Sequence, residues 1–219
     1  MESFAYTYLL LDTSTKQALI IDPVDTLIDE YFQELSGYDL KLILDTHLHA
    51  DHVTGAYLLQ QETKADYGLA VPSAGVDLCL SDQQIIIIGT ITLTVLSTPS
   101  HTPDSVCFLV GNYVFTGDTL LIGKCGRTNF QNGSAAQLYD SITQKLFALP
   151  DSTIVYPGHD YQQRKVSTIG KEKNTNERIA HRSKAEFISI MDNLHLPRPA
   201  MMDIAVSANM KCGRRSNRN

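Results

Sequence analysis

The sequence predicts an α/β fold of the α+β kind, and three observations carry that prediction. Short apolar runs of strand length recur along the chain, bounded by turn residues. Between them stand segments whose apolar residues fall at helical spacing. The side chains suited to metal or acid–base chemistry cluster just past the C-terminal ends of the predicted strands, where loops can converge on a ligand without disturbing a core.

Taken in order, residues 4–11 and 18–21 read as strands around the turn Asp12-Thr13-Ser14-Thr15. Residues 24–35 switch to helical spacing, with Leu27, Ile28, Tyr31, Phe32 and Leu35 on one side and Gly37 placed as a C-cap. Residues 40–44 form an apolar strand that runs directly into Asp45-Thr46-His47. Residues 90–96 alternate polar and apolar, as a strand with one wet face does. Residues 106–110 and 113–116 flank Gly111-Asn112, a two-residue hairpin signal, and lead into Gly117-Asp118. Ser134 caps a helix to about residue 149, where Pro150 stops it, and residues 153–156 are a strand ending in Pro157-Gly158-His159. Ser183-Lys184-Ala185-Glu186 is a capping box that opens a helix to about residue 194, closed by Pro197 and Pro199. There is no internal repeat, low-complexity run or strong linker, and 219 residues suit one large domain.

Composition narrows the function classes. A hydrophobic content of 43% and a charged content of 19% are those of an ordinary globular protein. The net charge of −6 argues against nucleic acid as a partner. Apolar runs such as residues 85–88 fall far short of the roughly 20 residues a membrane span needs. No basic region precedes an apolar run at the N-terminus, so no secretory signal is expected. Cys79, Cys107, Cys125 and Cys212 are scattered, without the paired spacing of a disulfide framework. The expected location is a reducing cytoplasm.

The strongest local signal is His47-Leu48-His49-Ala50-Asp51-His52, which holds three of the seven histidines. Imidazole and carboxylate are the usual ligands of zinc, iron and manganese. In an extended stretch His47 and His49 point the same way, because side chains alternate with period two. His101, Asp118 and His159 each follow a later predicted strand. Each is weak alone; with the hexapeptide they form a metal constellation.

HxHxDH followed by His101, Asp118 and His159 resembles the metallo-β-lactamase superfamily. That resemblance implies a four-layer αββα sandwich forming a single domain over residues 1–219, with a helical and loop extension from about residue 160. Within the superfamily, Cys125-Gly126-Arg127-Thr128-Asn129-Phe130-Gln131, Asp160-Tyr161 and residues 166–169, 172–176, 191–197 and 205–213 resemble the persulfide dioxygenases. The activity so implied is oxidation of glutathione persulfide by O₂ and water to sulfite and glutathione, at one non-haem Fe(II) per chain. By position, the resemblance makes His47, His101 and Asp118 the iron ligands and catalytic centre. It places His49, Asp51, His52 and His159 where hydrolytic relatives bind a second metal, and here they would support the iron ligands from behind. Arg127 and Tyr161 fall at the glutathione pocket, with Cys125 near its wall. Two histidines and a carboxylate form the facial triad of Fe(II) oxygenases, with three coordination positions left for substrate and O₂. Arg127 would grip a glutathione carboxylate through its guanidinium fork. A second copy of the chain is a further candidate partner.

Two positions depart from the family pattern. Ser100 stands where a glycine usually precedes the histidine, and a left-handed backbone there would strain serine by roughly 1–2 kcal/mol. Asn129 stands where the family has Asp, which removes one partner of any ion pair made there. The main rival is a glyoxalase-II-like thioester hydrolase using two metals bridged by Asp118. A rival of another class is a catalytically silent scaffold that binds metal or thiol.

Overall fold

A computed structural model describes residues 4–162 and 164–215. In chain order the elements are β1 (Tyr8–Asp12), β2 (Gln17–Ile21), α1 (Ile28–Glu34), β3 (Asp39–Leu44), α2 (Ala56–Thr63), β4 (Asp66–Leu69), β5 (Leu78–Cys79), β6 (Ile85–Ile88), β7 (Ile91–Ser97), β8 (Val106–Val110) and β9 (Tyr113–Gly117). There follow α3 (Ala135–Asp140), β10 (Ile154–Pro157), β11 (Ser167–Thr168), α4 (Ile169–Thr175), α5 (Lys184–Asp192) and α6 (Met202–Asn209). Two sheets result, ordered β1-β2-β3-β4-β5 and β11-β10-β9-β8-β7-β6.

Strand alternation sorts the apolar side chains into layers. Leu19, Ile21, Leu42 and Leu44 of the first sheet meet Leu93, Val95, Phe108 and Phe115 of the second, so the sheets pack face to face. On the outer face of the first sheet, Ala18, Ile20 and Ile43 cover Tyr31 and Leu35 of the α1 region and Leu59 of α2. On the outer face of the second, Cys107, Val114 and Val155 pack against Leu138 of α3 and against Phe187 and Met191 of α5. The order is therefore helix, sheet, sheet, helix, the metallo-β-lactamase sandwich that the resemblance implied. Each fully buried leucine, isoleucine or phenylalanine here contributes about 1.5–3 kcal/mol.

Most local expectations hold. Gly37 turns left-handed at φ +80° after α1, and Ser183 makes both halves of the capping box. The helix from Ser134 differs: α3 ends at Asp140 and widens into a π-helical turn over Ser141–Leu146, where Phe147 N donates to Ile142 O at 2.8 Å. No described helix is long and apolar enough to cross a membrane.

Candidate metal centre

The parallel strands β2, β3 and β4 all end on the same side of their sheet, and the loop after β3 carries the hexapeptide. Asp22, directly after β2, is left-handed at φ +52° and almost fully buried. Its carboxylate accepts from Thr46 N at 2.6 Å and from Thr46 Oγ1 at 2.9 Å. Across the sheet interface, Gly117 comes so close that a Cβ on it would lie 2.4 Å from Thr46 Oγ1. Only glycine fits that approach, and it also holds φ +48°. Asp118 follows it and faces the hexapeptide.

One ligand atom from each of His47, His101 and Asp118 lies within 4.8 Å of the others. Hydrogen bonds fix which ring nitrogens are free. Thr46 Oγ1 gives its only hydrogen to Asp22, so it accepts from His47 Nδ1 at 3.0 Å and leaves Nε2 with a lone pair. His101 Nδ1 donates to Arg127 O at 2.6 Å, which leaves its Nε2 for the centre, 3.8 Å from Asp118 Oδ2. Burial pushes the His47 imidazole well below its usual pKa, so it is neutral and fit to ligate. This donor set, with both histidine tautomers set by partners behind them, suits a divalent metal ion.

The other four predicted residues adjoin it. One ligand atom each from His49, Asp51 and His52 also fall within 4.8 Å of one another. His159 lies between two carboxylates, with Nδ1 2.7 Å from Asp118 Oδ1 and Nε2 3.0 Å from Asp51 Oδ2. Burial opposes a charge on His159, but the Asp118 carboxylate and the two hydrogen bonds outweigh it and raise the pKa well above the usual value. In this metal-free chain both ring nitrogens face carboxylate oxygens, the arrangement an imidazolium makes. Burial likewise opposes charge on Asp51, yet the hydrogen bonds from His159 and His52 hold its carboxyl well below the usual range. His52 Nδ1 donates to Asp51 Oδ2 at 3.0 Å. His49 turns Nε2 toward Asp22 Oδ1 at 3.1 Å, and burial lowers its pKa to about 4. His49 Nδ1 and His52 Nε2 are buried with no hydrogen-bond partner among the described residues.

A cavity of about 480 Å³ opens beside the centre, lined among others by His101, Asp118, Cys125, Arg127, Phe130 and Tyr161. Arg127 lies over the Phe130 ring at 4.5 Å. Its guanidinium donates to Asn129 Oδ1 at 2.8 Å, Pro197 O at 2.6 Å and Leu196 O at 2.9 Å, three of the five N–H groups a guanidinium offers. Asn129 thus keeps the hydrogen bond and loses only the charge of the aspartate in its family pattern. Tyr161 is 69% exposed and stacks on His159 with centroids 6.1 Å apart. Cys125 is buried, its thiol pushed up to about 11 by burial, with Sγ 3.8 Å from Met191 Sδ. It is a wall group held as a thiol at neutral pH.

The strain foreseen at Ser100 is absent. Ser100 is not among the left-handed residues, and its buried hydroxyl donates to Thr98 O at 2.7 Å. Sequence reasoning missed Asp22 and Thr46, which hold the hexapeptide from behind. It also passed over Asp45, whose buried carboxylate accepts from Tyr67 OH at 2.7 Å and is raised to about 6 by burial. The strand-end rule that found the other sites would also have found Asp22 and Asp45.

Residues 2–76 and 67–159 match the model of the Metallo-beta-lactamase superfamily. The chain is 41% identical over 218 residues to the mitochondrial persulfide dioxygenase ETHE1 of Mus musculus, covering 97% of this chain and 85% of the relative. The crystal structure of ETHE1 from Myxococcus xanthus superposes with a TM-score of 0.95 at 47% identity, covering 97% of this chain and 96% of that one. A more distant relative, the probable hydroxyacylglutathione hydrolase SPCC13B11.03c of Schizosaccharomyces pombe, is 39% identical over 176 residues, 76% of this chain and 68% of its own length.

Proposed function

This chain belongs to the metallo-β-lactamase superfamily and, within it, to the persulfide dioxygenases, iron-dependent enzymes; from that premise we propose that it oxidises glutathione persulfide with O₂ and water to sulfite and glutathione at one Fe(II) held by His47, His101 and Asp118. The observation that carries the iron reading is that His47 Nδ1 and His101 Nδ1 are engaged from behind by Thr46 Oγ1 and Arg127 O, while one ligand atom of each ring lies within 4.8 Å of an Asp118 oxygen.

Fe(II), when bound, supplies the redox chemistry that lets O₂ react with the terminal sulfur. The chain's own groups do the rest. Thr46 and the Arg127 carbonyl keep His47 and His101 in the tautomers that ligate. His159 ties down Asp118 Oδ1, which leaves Oδ2 on the His101 side. The cavity seats the thiol's organic part, with Arg127 proposed to take a carboxylate and Tyr161 to close one side. The strap carbonyls of Leu196 and Pro197 hold that guanidinium at the cavity edge, so it is preorganised rather than free to swing. All four cysteines are free thiols, which fits a reducing compartment, and the cytoplasm is the one proposed. The whole of residues 1–219 is read as one domain.

The test is product analysis with purified enzyme and glutathione persulfide in air. Sulfite and glutathione formed in step with O₂ uptake support the reading, and persulfide stable in the presence of iron-loaded enzyme sinks it. One observation favours the glyoxalase-like alternative. His49 Nδ1 and His52 Nε2 are buried without partners beside Asp51, which is what a second metal's ligands would look like. Hydrolysis of an acylglutathione thioester by a two-metal form would decide for it.

A further inference from the structure

The hexapeptide has a second support, far along the chain. Asn209, the last residue of α6, is 1% exposed and makes three hydrogen bonds to this loop. Its Oδ1 accepts from Thr54 N at 2.9 Å, and its Nδ2 donates to His49 O at 2.9 Å and His52 O at 3.0 Å. An amide has one acceptor end and two N–H donors, and here all of them meet backbone groups of residues 49–54. The side chain therefore has one productive orientation and closes the loop like a clasp.

The surrounding chain is built to deliver it. Ala205 and Ala208 of α6 pack on Val53. Beyond α6, Cys212 and Gly213 are both left-handed, at φ +64° and +84°, and Tyr57 N donates to Cys212 O at 2.9 Å. A Cβ on Gly213 would lie 2.2 Å from Thr54 O, so this segment sits as close as a backbone can. Between the two clasped carbonyls stands Asp51, which accepts from His159, which in turn donates to Asp118 Oδ1.

We propose that Asn209 is a positioning residue for the metal centre: its amide fixes the turn of residues 49–54, and through Asp51 and His159 it sets the orientation of the Asp118 carboxylate. The inference rests on the metal reading of His47, His101 and Asp118, and does not depend on which reaction follows. Outer partners of metal ligands typically control affinity by roughly 10–100-fold. Asn209 acts one step further out, so about 10-fold is expected.

The experiment is Co(II) binding to the metal-free full chain, by chelator competition and visible absorption, alongside thermal denaturation. Asn209→Ala binds Co(II) about 10-fold more weakly with a shifted ligand-field spectrum. Ala205→Gly, which loosens the same helix without touching the loop carbonyls, lowers the melting temperature but keeps wild-type affinity and spectrum. If Asn209→Ala does not fold, Asn209→Ser, which retains one donor, replaces it with a smaller loss expected. An Asn209 variant with wild-type Co(II) affinity and spectrum overturns the proposal, whatever its melting temperature. A wild-type chain that takes up no Co(II) overturns instead the metal reading beneath it.

Discussion

The two halves of the centre use the same residue types in opposite ways. Around His47 and His101 the partners lie behind the rings, on Thr46 Oγ1 and Arg127 O, so the lone pairs point forward to a common point. Around His159, His52 and Asp51 the side chains bind one another, and a buried imidazolium stands between two carboxylates. The lesson is that ligand-type residues do not by themselves make a metal site. What matters is whether backbone and hydroxyl partners satisfy the non-ligating nitrogen, or whether the residues neutralise each other.

Breaking the first half has the largest expected effect. His101→Ala removes one of the three proposed ligands, and iron affinity should fall by more than the roughly 10–100-fold typical of losing an outer partner. Metal content after gel filtration and O₂ uptake read this together, and an iron-replete, active variant would remove His101 from the ligand set. His159→Asn strikes the second half. It leaves two facing carboxylates without their cation, at a cost of about 3 kcal/mol in the metal-free chain, the low end for a buried pair because Asp51 is a third exposed. Denaturant melts measure that cost.

The same variant tests a pH dependence. The folded pKa of His159 is raised above its unfolded value of about 6.5. Its contribution is therefore fully present below about pH 6.5 and is lost as pH rises through the raised folded value. Stability of the metal-free wild type should fall on the alkaline side, and His159→Asn should flatten that limb; an unchanged limb would place the proton elsewhere. Arg127→Ala comes next, with KM for glutathione persulfide raised about 10-fold, as for a lost hydrogen bond to a charged group, and iron content unaltered. An unchanged KM would leave Arg127 as a holder of the strap only. Asn129→Asp is the smallest change: it restores a charge at an exposed position beside the half-buried Arg127, is worth less than about 1 kcal/mol, and should move KM by no more than a few-fold.

The sequence made the sandwich and the ligand-type residues of both halves legible because their signals are local. The hexapeptide crowds ligand types into six residues, and Asp118 and His159 stand at strand ends. What escaped is long-range or uncapped. The helices α2 and α6 start at Gly55 and Met201 with no side-chain cap, so neither announces its N-terminus. The strands β4 and β5 have four and two residues, too short for a period to emerge. Asn209 acts on the backbone of residues 49–54, and a backbone partner leaves no trace in residue types. At Ser100 the condition for strain is not met. The backbone there is not left-handed, and no single residue type reports that.

One iron or two is decided by the metal stoichiometry of anaerobically purified protein, read beside O₂ consumption with glutathione persulfide. The proposed dioxygenase should hold one iron per chain and take up O₂ only with the persulfide present. Two metals per chain, with no O₂ uptake and with turnover of an acylglutathione thioester, would contradict it and give the His49, Asp51 and His52 group a metal of its own.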